Sequence, residues 1–180
     1  MNRGQLQHMI LEVGRRFDLE AFYIVGSAAI LAAAPESPPG ALTATRDVDV
    51  MPPDDDPVLI DRIDYVLGEA SEFDDEYGYY AQGVDSKTPA YAPGNWKDRT
   101  IPLTVEETYT GRCMEPHDLV LSKLGAGREK DMEFARSAAR LGLVEKETLL
   151  SRLSEEVDCA DEIRQLIGSR VQALFEPDDR

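Results

Sequence analysis

The pattern of apolar and polar positions predicts alternating helices and strands, followed by a run of helices. Helical spacing of apolar residues near the N-terminus predicts an amphipathic helix over about residues 4–17. Short segments bounded by turn residues predict strands at 22–25, 47–51, 76–85 and 99–105, the third because it contains several tyrosines. Further helices are predicted at 27–34, 58–70, 116–124, 128–141, 145–157 and 160–175.

This order predicts a mixed first part and a helical second part. The change falls near residue 112, so we divide the chain into a core at 1–112 and a C-terminal helical region at 113–180 that packs on it. The composition of residues 35–40, with three prolines and a glycine, predicts a loop. The apolar stripes of the last two helices are interpreted as core positions first, and a dimer surface remains the alternative.

The most informative feature is a glycine-serine turn followed by two acids on one strand. Gly26-Ser27 ends an apolar strand, and Asp47-Val48-Asp49 lies in the next one. Strand side chains alternate between faces, so both aspartates are expected on the same side. Two carboxylates in that position repel each other unless a cation lies between them, and Mg²⁺ is typically held by one or two carboxylates plus substrate phosphates. The backbone N–H groups of the Gly-Ser turn are suited to phosphate oxygens, so the pattern indicates metal-assisted phosphoryl or nucleotidyl transfer.

A second polar group lies near the start of the helical region. Lys123 is placed in an otherwise apolar helix, and Arg128 and Asp131 follow after Gly125 and Gly127, which predict a helix break. In one interpretation Lys123 contacts nucleotide phosphates while Arg128 and Asp131 brace the site. In the other, Lys123 extends its ammonium group to water and the Arg/Asp pair joins two helices.

Charge and composition limit the partners. The 180-residue chain has a net charge of −16, which disfavours broad, unspecific binding to nucleic acids. No apolar run is long enough to span a bilayer and the N-terminus does not open a signal peptide, so we expect a cytoplasmic protein. Cys113 and Cys159 match no metal spacing, and neither His8 nor His117 is assigned a ligand role.

The order of these motifs resembles a known family. Gly26-Ser27, Asp47-Val-Asp49, Trp96-Lys-Asp-Arg99 and the segment 116–131 are similar to the DUF6036 group of nucleotidyltransferase-like proteins. These are relatives of AbiEii-type toxins in the minimal nucleotidyltransferase (DNA polymerase β-like) superfamily. The resemblance covers roughly residues 15–145. It implies an α+β fold, with a small mixed sheet flanked by helices and then a helical region.

The resemblance also implies roles for particular residues. Asp47 and Asp49 would bind Mg²⁺ or Mn²⁺, and Gly26 and Ser27 would hold the nucleoside triphosphate. Lys123 and Asp131 would complete the catalytic site, with Lys123 and Arg128 at the nucleotide. The chain departs from the superfamily pattern in the third carboxylate that many members bring from a later strand. The candidates here are Asp85 and Asp98, with Gln82 as a possible replacement on that face.

Three functions follow as hypotheses. The first is a Mg²⁺-dependent nucleotidyltransferase that moves a nucleoside monophosphate from an NTP to an acceptor hydroxyl on an RNA end (tRNA in toxin relatives) or a protein. The second gives the same chemistry to a toxin that an antitoxin partner neutralises. The third, motivated by the uncertain third carboxylate, is a non-catalytic nucleotide-binding or interaction protein. A small-molecule adenylyltransferase is a further alternative, although the chain is short for a dedicated substrate domain.

Overall fold

The structure, a computed structural model, describes residues 1–36, 38 and 40–176. Two positions of the predicted loop at 35–40, residues 37 and 39, lie outside the described residues, as do the last four positions of the region 113–180. The division into 1–112 and 113–180 stays a prediction.

Within the described residues, the strands form one mixed sheet in the order β3-β2-β1-β5-β4. The strands are β1 (Ala21–Val25), β2 (Asp47–Met51), β3 (Tyr80–Gly83), β4 (Ile101–Val105) and β5 (Tyr109–Cys113). The central strand β1 is antiparallel to β2 and parallel to β5. At the two edges, β3 is parallel to β2 and β4 is antiparallel to β5. Helices flank this sheet, which confirms the α+β fold class.

The helices account for most of the remaining chain. The α-helices are α1 (Arg3–Phe17), α2 (Gly40–Thr43), α3 (Pro57–Leu67), α4 (Glu72–Tyr77), α5 (Pro116–Ala126), α6 (Glu129–Arg140), α7 (Lys146–Glu155) and α8 (Asp161–Leu174). In the part of the chain that the structure describes, two short 3₁₀-helices lie at Ser27–Ala32 and Trp96–Arg99. The first replaces the longer helix predicted at 27–34. Its residues 28–31 are all buried, so packing against the core sets its tight conformation.

The prediction of a strand at 76–85 is wrong for its first residues, 76–79, which precede β3. The hydroxyl of Ser71 accepts a hydrogen bond from the backbone N–H of Asp74, which caps the start of α4. Gly78, with a φ of 75°, ends that helix in the left-handed conformation. Tyr77 therefore belongs to a helix, and β3 begins only at Tyr80.

The structure adds a strand, β5, that the sequence pattern did not predict. Its sequence is mostly polar or small, but Gly111 lies under the side chains of Ile10 and Ile24. A Cβ added at Gly111 would lie 2.6 Å from Ile24 Cδ1 and 2.8 Å from Ile10 Cδ1. Glycine therefore lets α1 pack closely on the sheet. It also leaves this strand without the apolar side chain by which the sequence pattern would have predicted it.

Replacing Gly168 by alanine is expected to stabilise the protein by about 0.5–1 kcal/mol, because glycine is a poor residue inside a helix. Gly168 lies within α8, and an added Cβ would meet Leu153 Cδ2 at 3.8 Å, an ordinary contact distance. Urea unfolding of both proteins measures the difference. A loss of stability would show that α8 has no room for a methyl group.

Candidate active site

The turn after β1 brings Gly26 against the carboxylate of Asp49. Val25, the last residue of β1, is paired with Asp49 of the antiparallel strand β2. Gly26 has a φ of 65°, and a Cβ added there would lie 1.8 Å from Asp49 Oδ2. Both the backbone conformation and the nearby carboxylate therefore require glycine at this position.

Asp47 and Asp49 line the same cavity, which has a volume of about 160 Å³. Gly26 and Ser27 line it as well, so the structure brings the glycine-serine turn and both acids together. The hydroxyl of Thr45 donates a hydrogen bond to Asp47 Oδ1 and holds that side chain. The arrangement satisfies the geometric condition for a shared cation, namely two carboxylates on one side of a strand beside the turn.

Lys123 reaches this cavity from α5. Its Nζ donates hydrogen bonds to Ser27 Oγ at 2.8 Å and to Asp131 Oδ1 at 3.3 Å, and it lies 4.6 Å from the ring centroid of Phe134. Lys123 is only 9 % exposed, so its ammonium group is held by protein groups and does not extend into bulk water. Burial lowers the pKa of Lys123, and the charge of Asp131 offsets that effect in part.

The predicted helix break places Asp131 beside Lys123. Helix α5 ends at Ala126, and Gly127 follows in the left-handed conformation with a φ of 66°. Arg128 then donates to Asp131 Oδ2 from Nε at 2.6 Å, while Asp131 itself is fully buried. Burial would raise the pKa of Asp131, but the hydrogen bond from Arg128 and the charge of Lys123 outweigh it and lower that pKa. Arg128 and Asp131 therefore pair within the start of α6, and the link between α5 and α6 is the ion pair of Lys123 with Asp131, which holds Lys123 in the cavity. Contact between Lys123 and nucleotide phosphates stays a prediction.

Asp49 is an acid whose environment disfavours its charge. Burial, and then the neighbouring charge of Asp47, raise its pKa to about 6. Lys123, Arg128 and Lys130 act in the opposite direction but do not cancel this rise. Among the hydrogen bonds and ion pairs of the described residues, none involves the Asp49 carboxylate. A half-buried carboxylate without a donor, facing a cavity that it shares with a second acid, fits a divalent cation.

A second cavity, of about 280 Å³, adjoins the first. The two cavities share a boundary formed by Ser27, Thr45, Asp47, Lys123 and Lys130. Because Asp47 and Lys123 line both cavities, a group bound at Asp47 would be accessible from either cavity. This is the arrangement that a transfer reaction between two bound molecules requires.

The third-carboxylate candidates lie outside these two cavities. Asp85 accepts hydrogen bonds from the backbone N–H of Lys87 and the hydroxyl of Thr88, so it caps a turn. Asp98 is exposed in the second 3₁₀-helix. Gln82 is the register partner of Asp49 on β3, and it occupies the corresponding position without a charge. Across the described residues, no group of three or more His, Cys, Asp or Glu side chains is placed to hold a metal ion.

Several lining residues were missed by the sequence reasoning. Thr45 and Phe134 were not identified, nor was the segment 88–90, which forms one wall of the smaller cavity. Lys130 lies in the motif that carries the family resemblance, yet no role was inferred for it. Within the described part of the chain it is exposed and has no hydrogen bond or ion pair, so its ammonium group is available at the boundary of both cavities.

Replacing Gly26 by alanine is expected to lower nucleotide affinity about tenfold or more, because the new methyl group must displace the Asp49 carboxylate. Calorimetric titration with ATP and Mg²⁺ measures the loss. Gly40→Ala serves as the control, since a Cβ there meets nothing within 4 Å. Equal affinities of the two variants would contradict the close approach at Gly26.

None of the helices in the described ranges combines the length and the apolar character that crossing a bilayer requires.

Comparison with known proteins gives one family assignment. Searches of curated proteins and of solved structures find no significant match. A family model described as "nucleotidyltransferase of unknown function" matches residues 4–172, a wider range than the 15–145 expected from the motifs. The match spans the sheet, both cavities and nearly all of α8. The chain therefore belongs to DUF6036, a family named as nucleotidyltransferases whose function is unknown.

Proposed function

We propose that this protein transfers a nucleoside monophosphate from an NTP to an acceptor hydroxyl, with Mg²⁺ (or Mn²⁺) held by Asp47 and Asp49. The observation that carries the proposal is the Asp49 carboxylate, which is half-buried, beside a second acid and without a hydrogen-bond donor among the described residues. The family name supports nucleotidyl transfer in general. The metal, the donor and the acceptor are our proposals.

The two acids fit a divalent cation by their chemistry. Mg²⁺ binds carboxylate oxygens and retains positions for water and phosphate, so two protein ligands are sufficient for a substrate-associated ion. When bound, such an ion supplies Lewis-acid stabilisation of charge on the phosphates. The protein's contribution is to fix both carboxylates: Thr45 orients Asp47, and the pairing of β1 with β2 places Asp49 against Gly26.

Basic residues around the cavity suit the triphosphate. Lys123 is held by Ser27 and Asp131, so it points at the site before any ligand binds. Arg128 and Lys130 lie at the rim of the same cavity. In a chain with a net charge of −16, this local group of cations offsets the charge of the triphosphate and of the pyrophosphate that leaves. Asp131, fully buried and paired, acts as a positioning residue for Lys123 and Arg128.

The acceptor enters from the larger cavity in this proposal, because Asp47 and Lys123 face both cavities. An RNA end or a protein hydroxyl is a suitable acceptor. The strongly acidic chain disfavours extended contact with RNA, and a single end that enters the cavity needs only local positive charge. Positioning and electrostatics would supply most of the acceleration, as is general for transfer from triphosphates.

Transfer of labelled nucleotide tests the proposal. The wild-type protein is incubated with each of the four α-labelled NTPs, Mg²⁺ or Mn²⁺, and mixed cellular RNA or protein as acceptor. Asp47→Asn is expected to lower labelling by about a hundredfold or more, because it removes one carboxylate from the proposed ion. Asp54→Asn, an exposed aspartate three residues beyond β2, is the matched control. Undiminished labelling by Asp47→Asn would overturn the proposed role of that acid.

A second candidate is a nucleotide-binding protein without turnover. It is favoured by one observation: among the described residues no third acidic side chain joins Asp47 and Asp49. Titration of ATP, CTP and GTP with Mg²⁺ separates the two functions when it is run beside the labelling assay. Binding that depends on Asp47, without product from any acceptor, would support this candidate, and product formation would exclude it.

A further inference from the structure

We infer that residues 88–90 form the wall that contacts the nucleoside of the bound nucleotide, and that Tyr91 fixes this wall by packing on Gly125. The inference rests on the proposed function, because it divides the same cavity into a phosphate side and a nucleoside side. It assigns a role to residues 88–90 and to Gly125. Nucleotidyl transfer by itself does not explain why these residues occur at these positions.

The smaller cavity is lined by residues of two chemical kinds. The polar groups are the two acids, the glycine-serine turn and the basic residues. The remaining lining comes from the segment Thr88, Pro89 and Ala90 and from the apolar residues Met114 and Leu119 of the β5–α5 region. Apolar surface beside a few convergent polar groups is typical of a small-ligand site. At about 160 Å³, the cavity is close to a size known to hold a single six-membered ring, so it has room for one ring of a nucleoside.

Hydrogen bonds hold the segment that forms this wall near both of its ends. Near its start, Ser86 donates its backbone N–H to Asp55 Oδ1 at 2.9 Å. Near its end, Gly94 donates its backbone N–H to the carbonyl of Glu156 at 3.1 Å. Between them, Ala92 N–H donates to the carbonyl of Pro89 at 3.1 Å, which closes a turn next to the wall. The wall therefore has a defined position relative to the acids.

The middle of the segment is fixed by Tyr91. Its φ of 61° is unusual for a tyrosine, and such a backbone conformation persists only where surrounding contacts enforce it. The contact here is with Gly125 of α5: a Cβ added at Gly125 would lie 2.2 Å from Tyr91 Cδ2 and 2.5 Å from Cγ. The neighbours of this pair, Ala90 and Ala126, both line the cavity. The Tyr91–Gly125 contact thus sets the distance between two walls of the cavity.

This explains a glycine inside a helix, where alanine would be favoured by about 1 kcal/mol. Gly127 is accounted for by its left-handed conformation at the helix end, but Gly125 lies before that end and has no positive φ. Its requirement comes from the approach of the tyrosine ring. A methyl group at position 125 would push Tyr91 and the attached wall away from α5.

Comparison of two ligands tests the inference: ATP, which carries a nucleoside, and inorganic tripolyphosphate, which does not. Both are titrated with Mg²⁺ into the wild type, Gly125→Ala and Ala90→Leu. Gly125→Ala moves the wall, whereas Ala90→Leu fills the cavity from an exposed position and so does not challenge folding. Each is expected to weaken ATP binding by about tenfold, and to leave tripolyphosphate binding within about twofold of the wild type.

Gly94→Ala is the matched control, because it lies in the same segment, keeps its N–H and has open space around its Cβ. Equal weakening of ATP and tripolyphosphate in both variants, or unchanged ATP binding, would overturn the inference. A different result would contradict the proposed function itself. In that case the wild type would bind neither ATP nor tripolyphosphate, or would bind both independently of Asp47.

Discussion

Replacing Asp49 by asparagine is expected to remove nucleotidyl transfer and to make the cation-free protein more stable. The activity falls by about a hundredfold or more, because the proposed ion loses one of its two carboxylates. The stability rises because the ionised Asp49 is disfavoured by burial and by the charge of Asp47, which together raise its pKa to about 6. A loss of activity together with a gain in stability is expected for a functional acid whose surroundings disfavour its charged form.

The gain in stability depends on pH in a defined direction. The folded protein binds the Asp49 proton more tightly than the unfolded chain does, since the pKa is about 6 in the fold and about 4 in unfolded chains. The stability of the wild type therefore falls as the pH rises through this interval, and asparagine avoids that fall. The advantage of Asp49→Asn is expected to be roughly 1–3 kcal/mol above pH 7 and to vanish below about pH 4.

Urea unfolding at several pH values, in the presence of a chelator, measures this effect. Asp158→Asn removes one charge from an exposed loop position far along the chain and is the control. Added Mg²⁺ should then stabilise the wild type more than Asp49→Asn, because only the wild type retains both carboxylates. A variant that is less stable than the wild type at neutral pH would show that Asp49 is held by favourable contacts, and the proposed cation site would lose its main support.

The strands around these acids could be predicted because the apolar pattern and the turn residues at the strand ends indicate the same boundaries. The strands 22–25 and 47–51 are short apolar runs with sharp ends, at a glycine in one case and at two prolines in the other. Alternation along β2 then placed both acids on one face. The N-terminal helix and the last four helices were likewise found from their periodicity, to within a few residues at each end.

Contacts between distant segments were beyond sequence reasoning. Lys123 and Ser27 are separated by 96 positions, and only the sheet and α5 together bring Nζ within 2.8 Å of the hydroxyl. The pairing of Val25 with Asp49 is a matter of register, which no local pattern contains. Strand β5 was missed for a different reason: Gly111 serves close packing by α1, and this removes the apolar residue by which a strand is usually recognised.

The motif Trp96-Lys-Asp-Arg99, which contributed to the family resemblance, serves packing and ion pairing away from the cavities. Arg99 donates two hydrogen bonds of 3.0 Å to the carboxylate of Asp118, in the first turn of α5. Arg152 of α7 donates to the same carboxylate at 2.8 Å. Asp118 is fully buried, and each of its two guanidinium partners also pairs with a second carboxylate, Arg99 with Glu156 and Arg152 with Glu115. This network connects the segment before β4 to two C-terminal helices.

Replacing Asp118 by alanine is therefore expected to destabilise the protein by about 2–4 kcal/mol, because it removes three charge-assisted hydrogen bonds from the interior and leaves Arg99 and Arg152 with only Glu156 and Glu115 as partners. This is a large part of the total of about 5–15 kcal/mol that holds a typical domain folded. Urea unfolding followed by circular dichroism measures the loss. The control is Glu106→Ala, which removes an ion pair with Arg15 whose side chains are both about half exposed, and which should cost less than about 1 kcal/mol. Equal losses from the two variants would contradict the importance of burial at Asp118.

The same measurement bears on the proposed division at residue 112. Arg99 belongs to the first part, while Asp118 and Arg152 belong to the second, so this ion-pair group crosses the boundary. Strand β5 also carries the chain across it, since Cys113 still pairs with β1 and β4. We therefore expect the wild type to unfold in one cooperative transition in which both parts melt together. If Asp118→Ala instead unfolds in two steps, the carboxylate of Asp118 is the link that makes the two parts behave as one unit.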